Sequence, residues 1–214
     1  SAFSSPFEFF DLLARKGVRK GHLERITQTG EARENWGELG LSNAEYARLM
    51  SLWMKSYSLW RDSFDGPPPL HLSPFDGLLE SAGRLIDGGA GGYGCWSGAC
   101  DTRFHTIDAT GYKRGCTAIT SEFDNPRRKK TYDFLNIADP VQAREERRFN
   151  CAKCPFRSIC SSGCLAIEIE DGSGECSGGF SLFEAALSLE KRRRSAPGVS
   201  RPPEKARHPG EHDK

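Results

Sequence analysis

Eight cysteines carry the chemistry this sequence can offer, and they fall in two blocks. Cys95, Cys100 and Cys116 make the first; Cys151, Cys154, Cys160, Cys164 and Cys176 make the second. The densest stretch, CAKCPFRSICSSGC at 151–164, spaces four thiols by gaps of two, five and three residues. Structural zinc favours two C-x2-C knuckles or a knuckle and a histidine pair. Here only Cys151 and Cys154 form a knuckle, and His22, His71, His105, His208 and His212 lie elsewhere. Close cysteine runs also wrap iron–sulfur cubes, and in two-cluster ferredoxins the last cysteine of a run serves the neighbouring cluster. That chemistry suits these gaps better than zinc, with Cys164 reaching across, and eight thiolates make two four-ligand sites. Four disulfides are the third reading, and it requires an oxidising compartment.

Compartment and class follow from composition. The start, SAFSSPFEFFDLLARKG, has no basic region leading into an apolar one, so no signal peptide is expected. No stretch approaches the apolar length of a membrane span. The expected location is cytoplasmic, where thiols stay reduced. With 30 basic and 29 acidic residues, net charge implies no polyanionic partner, and nucleic acid is not expected.

The elements that must position the cysteines read as an α+β chain. PFEFFDLLARK, 6–16, predicts a helix ended by Gly17, and 22–30 predicts a strand. A polar loop follows to Gly40. Ser42 and Glu45 form a capping box ahead of a helix whose Tyr46, Leu49, Met50, Trp53, Tyr57 and Trp60 share one apolar face. Residues 65–74 read as a linker, Phe75–Ile86 as a helix, and GGAGGYG, 88–94, as flexible backbone leading to Cys95. Residues 102–120 predict two strands around a turn at 108–111, and 139–149 and the segment after Cys176 predict helices. From Ser195 the chain has almost nothing to bury and is expected to be disordered. Glu168, Glu170, Asp171 and Glu175 read as a solvated strand and turn.

The full cysteine pattern resembles the SPASM domain of radical SAM enzymes. That family's signature is C-x(9–15)-G-x4-C, then C-x2-C-x5-C-x3-C, then C. Cys100, Gly111 and Cys116, then Cys151, Cys154, Cys160 and Cys164, then Cys176 match every interval, and Cys95 fits the extra upstream ligand of some members. IDATGYKRGC resembles the family's hairpin and FLNIADP its step into the second block; HLERITQTGEARENW with LSNAEY resembles the last strands of the partial TIM-like barrel that precedes it. The resemblance covers roughly residues 5–190, most closely 95–180.

It implies two [4Fe–4S] clusters, one on Cys95, Cys100, Cys116 and Cys164, the other on Cys151, Cys154, Cys160 and Cys176. It implies a barrel remnant over 1–87, a twin-cluster domain over 88–190, and a disordered basic tail over 191–214. The SAM-cleaving motif C-x3-C-x2-C is missing, since Ile167 follows Cys160 and Cys164 where a third ligand is needed. The expected role is therefore an auxiliary module for a peptide- or protein-modifying system. Its partners would be a radical SAM catalytic partner or a second copy, and SAM would bind only if a partner supplies the catalytic half. ITQTG, 26–30, would lie near that SAM. A non-catalytic iron–sulfur or zinc scaffold is the alternative.

Overall fold

The computed structural model describes residues 5–27, 31–98, 106–107, 113–114, 140–165 and 167–195. Within them the fold is α+β, rich in helix, with one parallel and one antiparallel pair of strands. The stretches 124–130 and 196–214, and the turn at 108–111, lie outside the described residues.

Pro6 opens α1 (Pro6–Arg15), where its missing N–H costs nothing, and Gly17 at φ 77 ends it. The strand β1 is Lys20–His22 and pairs in parallel with β2, His71–Ser73. The strand expected at 22–30 thus begins two residues earlier and stops at its first residue. Its last ladder bond runs from Leu23 N to Ser73 O at 2.8 Å, because Pro74 follows and has no N–H to continue pairing. The presumed linker at 65–74 holds β2, too short for alternation to reveal; Leu70 and Leu72 are both buried. The polar loop before Gly40 contains two single-turn helices, α2 (Glu31–Glu34) and α3 (Trp36–Leu39). The Trp36 ring lies so close over Gly40 that a Cβ there would meet it at 2.4 Å.

The long helix α4 (Asn43–Arg61) has Ser42 as its N-cap in a complete capping box with Glu45. Met50, Tyr57 and Trp60 of its apolar face are buried, Tyr46 and Trp53 pack partly against the core, and Leu49 is exposed. Phe10 of α1 meets Tyr57 at 5.6 Å and Trp53 at 5.9 Å, both edge-on, as aromatic quadrupoles favour. Helix α5 (Phe75–Ile86) follows β2, and α6 (Pro140–Asn150) precedes the dense cysteine run. Between them β3 (Thr106–Ile107) and β4 (Lys113–Arg114) pair antiparallel. The last helix, α7 (Phe180–Ser195), lies against both α4 and α5.

The core therefore continues past residue 87: Phe10, Met54 and Leu78 share one apolar cluster with Phe156, Ile159, Leu182 and Phe183. The basic stretch from 191 is not a disordered tail at its beginning. Residues 191–195 complete α7, where Arg194 pairs with Asp87 after α5 and with Glu190, and Arg193 also binds Glu190. Burial raises the Glu190 carboxyl, but bonds from Arg193 and Arg194 outweigh it and hold it below its ordinary range. The glycines of 88–94 are packed more than they are free. A Cβ on Gly92 would lie 2.3 Å from Ile159 O, and Gly91 N donates to Ser158 O.

Asn43 joins the two ends of the chain. Its Oδ1 accepts from Arg25, its Nδ2 donates to Glu168 O and Glu175 O, and its backbone N–H donates to Asp171 Oδ2. The side chain is buried, so its removal leaves several polar groups without partners. Asn43→Ala is expected to cost about 2 kcal/mol, read as a fall in the urea midpoint at unchanged slope.

Candidate metal centre

Two apolar residues between the cysteines place the dense run. Phe156 and Ile159 are buried, and Phe156 stacks on Phe183 at 5.4 Å. Turns at either side, with Cys154 N donating to Cys151 O and Cys160 N to Phe156 O, fold the knuckle back on itself. Charge on Cys176 would act on Cys151 and Cys160, and charge on Cys154 on Cys151.

The backbone around these thiols supplies donors to sulfur. Ser162 and Gly163 both sit in the left-handed region, φ 63 and 75, and turn their N–H groups to Cys160 Sγ. Successive amides in such a turn form an anion-binding nest, and a non-glycine residue there is strained. Cys176 is faced likewise by the N–H groups of Phe180, Gly178 and Gly179. Gly178 leaves room beside both sulfurs, since a Cβ would lie 3.0 Å from Cys160 Sγ and 3.6 Å from Cys176 Sγ. Burial pushes the Cys160 thiol up to about 12 against those donors, and raises Cys151 and Cys176 too. A thiol so placed is protonated at neutral pH unless a cation displaces the proton.

Cys95 and Cys164 share a different surrounding. Both line a cavity of about 450 Å³ with Leu23, Arg25, Tyr46 and Trp96. Cys95 is carried on a single 3-10 turn, Gly94–Ser97, that Trp96 fastens down. The Trp96 indole donates to Gly178 O at 2.8 Å and its carbonyl accepts from Ser161 N at 2.8 Å. Cys100 and Cys116 lie outside the described residues; the β3–β4 pairing returns the chain on itself between them.

The cavity opens at the carboxyl ends of both parallel strands, since His22, Leu23 and Pro74 are in its wall. Open α/β sheets and barrels bind ligands at that end. Arg25 is held by Asn43 Oδ1 and Leu41 O, with its guanidinium carbon 4.7 Å from the centre of the Tyr46 ring. Burial pushes the Tyr46 phenol up to about 12, so it stays protonated beside Cys95 and Cys164. Ile26 and Thr27 of the ITQTG stretch also line the cavity; 28–30 lie outside the described residues.

The donor set fits a polynuclear iron–sulfur group. Cys151, Cys154, Cys160 and Cys176 are free thiols, amides face two of them, and Ser177 Oγ is buried beside Cys176 with no partner. Among the described residues, no three His, Cys, Asp or Glu side chains converge on the space of one metal ion. Zinc would hold its sulfurs about 2.3 Å from one centre, whereas a cube takes one sulfur at each corner.

Three features escaped the sequence reading. Trp96 had only its place after Cys95 as a signal. The acidic residues at 171 and 175 are structural: Glu175 accepts from Cys176 N, Phe180 N and Ser181, capping α7, and Asp171 accepts from Asn43 N and Ser173 N. The arginines of α6 grip the cysteine run, with Arg144 bonded to Ser161 O and Gly163 O. His22, expected as an ordinary strand residue, ends β1 and shares a 2.7 Å bond with Ser73 Oγ.

Burial raises both the Asp171 and Glu175 carboxyls, but the bonds they accept hold each below its ordinary value. A depressed carboxylate contributes stability above its unfolded pKa and loses it as pH falls through the folded one. The 168–181 segment is therefore expected to loosen in acid, read as faster amide exchange at Cys176–Ser181, and Glu175→Gln should lessen that dependence.

No family model matches the chain, and comparisons with curated proteins and with solved structures find no match.

Proposed function

We propose that the chain is an auxiliary module holding two [4Fe–4S] clusters beside a substrate cavity, in a radical SAM system that modifies a peptide or protein. One observation carries this reading. Two groupings emerge among the six described cysteines: charge effects link Cys151, Cys154, Cys160 and Cys176, and Cys95 and Cys164 line one cavity. That division follows the ligand sets the SPASM resemblance implies, although Cys160 and Cys164 are near neighbours in sequence. A cluster bound at such cysteines supplies one-electron transfer, with a potential set by charge, burial and hydrogen bonds to sulfur.

The residues of the chain would do the rest. Amides at 162–163 and 178–180 would hold thiolate charge, and Trp96 would fix Cys95 against the run. Tyr46 would offer a proton donor, and Leu23, Ile26 and Ile167 apolar walls, to whatever enters the cavity. Free thiols at Cys151, Cys154, Cys160 and Cys176 suit a reducing compartment, and we place the chain in the cytoplasm. Among the described residues no helix is long and apolar enough to cross a membrane.

The order α1, β1, α2, α3, α4, β2, α5, with a helical crossover between parallel strands, supports the barrel-remnant reading. One edge of this sheet is sealed. Leu72 N on β2 donates to Tyr57 Oη and Asp76 Oδ2, and Leu70 O accepts from Tyr57. The other edge of β1 carries no strand among the described residues, and an open edge tends to recruit one. The SAM-cleaving half, or a second copy, would pair there.

Protein purified without oxygen is expected to carry about eight iron and eight sulfide per chain, the content of two cubes. Cys160→Ser and Cys164→Ser should each lose one cluster and keep the other, read by electron paramagnetic resonance of the reduced samples. Zinc without sulfide would overturn the reading. Clusters that no low-potential reductant reduces would leave a scaffold. Solution mass should exceed that of a monomer, or show a bound protein.

A further inference from the structure

Helix α4 buries one side in the core and leaves apolar side chains on the other. Leu49, Leu52 and Leu59 are 41%, 57% and 56% exposed. With Ser56 they lie on one face at steps of three, four and three residues, the seam pattern of paired helices. Single exposed leucines are ordinary, but several along one helix face make a patch of the kind that marks a contact surface. The patch broadens at the start of the helix. There Leu39 and Ile26, both exposed, line an apolar pocket of about 220 Å³ together with Leu49.

The flank of this stripe carries charge in an order that suits a copy of itself. Arg48, Lys55 and Asp62 follow one another at steps of seven residues and so share one side of the seam. Arg48 is exposed and forms no ion pair among the described residues. Asp62 meets Arg61 only at 3.5 Å, and its side chain is 48% exposed. A second α4 turned antiparallel about an axis at the level of Met54 sets Leu49 of one copy on Leu59 of the other, and Leu52 on Ser56. The small Ser56 lets the two helices approach closely. The same rotation brings Arg48 of each copy alongside Asp62 of the other, whereas a parallel pairing would set like charges together at both ends. Lys55 of the two copies meets near the axis. Its long stem can lie along the seam with the ammonium in water, so this pair weakens the association without preventing it.

We propose that the exposed stripe of α4 is the contact between two copies of this chain, an antiparallel helix pair closed by Leu49–Leu59 and Leu52–Ser56 contacts and by two Arg48–Asp62 ion pairs. The contact is isologous, so it closes at two copies. It places the second copy on α4 rather than on the open edge of β1. No cysteine takes part, so the inference stands apart from the cluster reading.

The test is sedimentation equilibrium of the full chain, kept in reductant, over a range of concentrations. It compares wild type with Leu52→Lys, Arg48→Glu, Asp62→Lys and the variant carrying both charge reversals. Wild type is expected to pass from monomer to dimer as concentration rises. Leu52→Lys should weaken association about a hundredfold, since an apolar contact is lost twice across the axis. Each single charge reversal should weaken it, and the double reversal should recover it, a result that a loosened fold would not give. These side chains are exposed, so helix content and urea midpoint should stay close to wild type in every variant. A wild-type monomer at all concentrations would overturn the inference, as would a dimer that Leu52→Lys leaves unchanged, which would send the contact to the edge of β1. Loss in Leu52→Lys with no recovery in the double reversal would overturn the antiparallel register. A different protein that holds wild type and releases Leu52→Lys would overturn the second copy as the occupant.

Discussion

Phe156 and Ile159 stand between cysteines in a loop with almost no regular structure, yet they lie in the core against Phe183 of α7. Such a loop cannot bury enough apolar surface by itself to offset its loss of conformational freedom. By lending two side chains to the core built by α1, α4, α5 and α7, it gains a fixed path. The positions of Cys151, Cys154 and Cys160 follow from that anchorage, and the nest at 162–163 and the turn to Cys164 follow from theirs. Whatever binds the thiols meets a partly ordered frame and adds to it.

A second set of bonds keeps the two ends of the chain in register. Asn43 reads the 168–175 segment with its side chain and backbone, and Arg25 reaches the same asparagine from the strand side. Arg25 and Tyr46 line the cavity with Cys164. The cavity wall and the cysteine loop are thus tied through Asn43, a buried polar residue that no apolar substitute would satisfy.

The sequence was most legible where one local rule sufficed. The Ser42–Glu45 box marked the start of α4, and Pro6, Phe75 and Pro140 stood at or near helix starts. It was least legible where a partner far along the chain decided the outcome. The extent of β1 depends on pairing with a strand fifty residues away, and three-residue strands carry no readable period. Asp171 and Glu175 read as solvated, and Asp171 is exposed; the bonds they accept went unread because the donating N–H groups belong to helix starts, at Asn43 and Phe180–Ser181, that polarity alone does not reveal. The cysteine spacing singled out all eight thiols, and for six of them the fold gives a location. What spacing could not carry is the surrounding frame: the indole of Trp96, the arginines of α6 and the room left by Gly178.

The six described thiols are unequal in exposure: Cys95 is open to solvent and the other five are half-buried. On the proposed reading this gives the module a way in. Ready-made clusters pass between proteins by exchange of thiolate ligands, and exchange needs an accessible sulfur to begin. Cys95 would make first contact with a cluster-delivering protein, and the same corner would be the first to meet dissolved oxygen. Loading and damage would then begin at one residue, in the wall of the cavity.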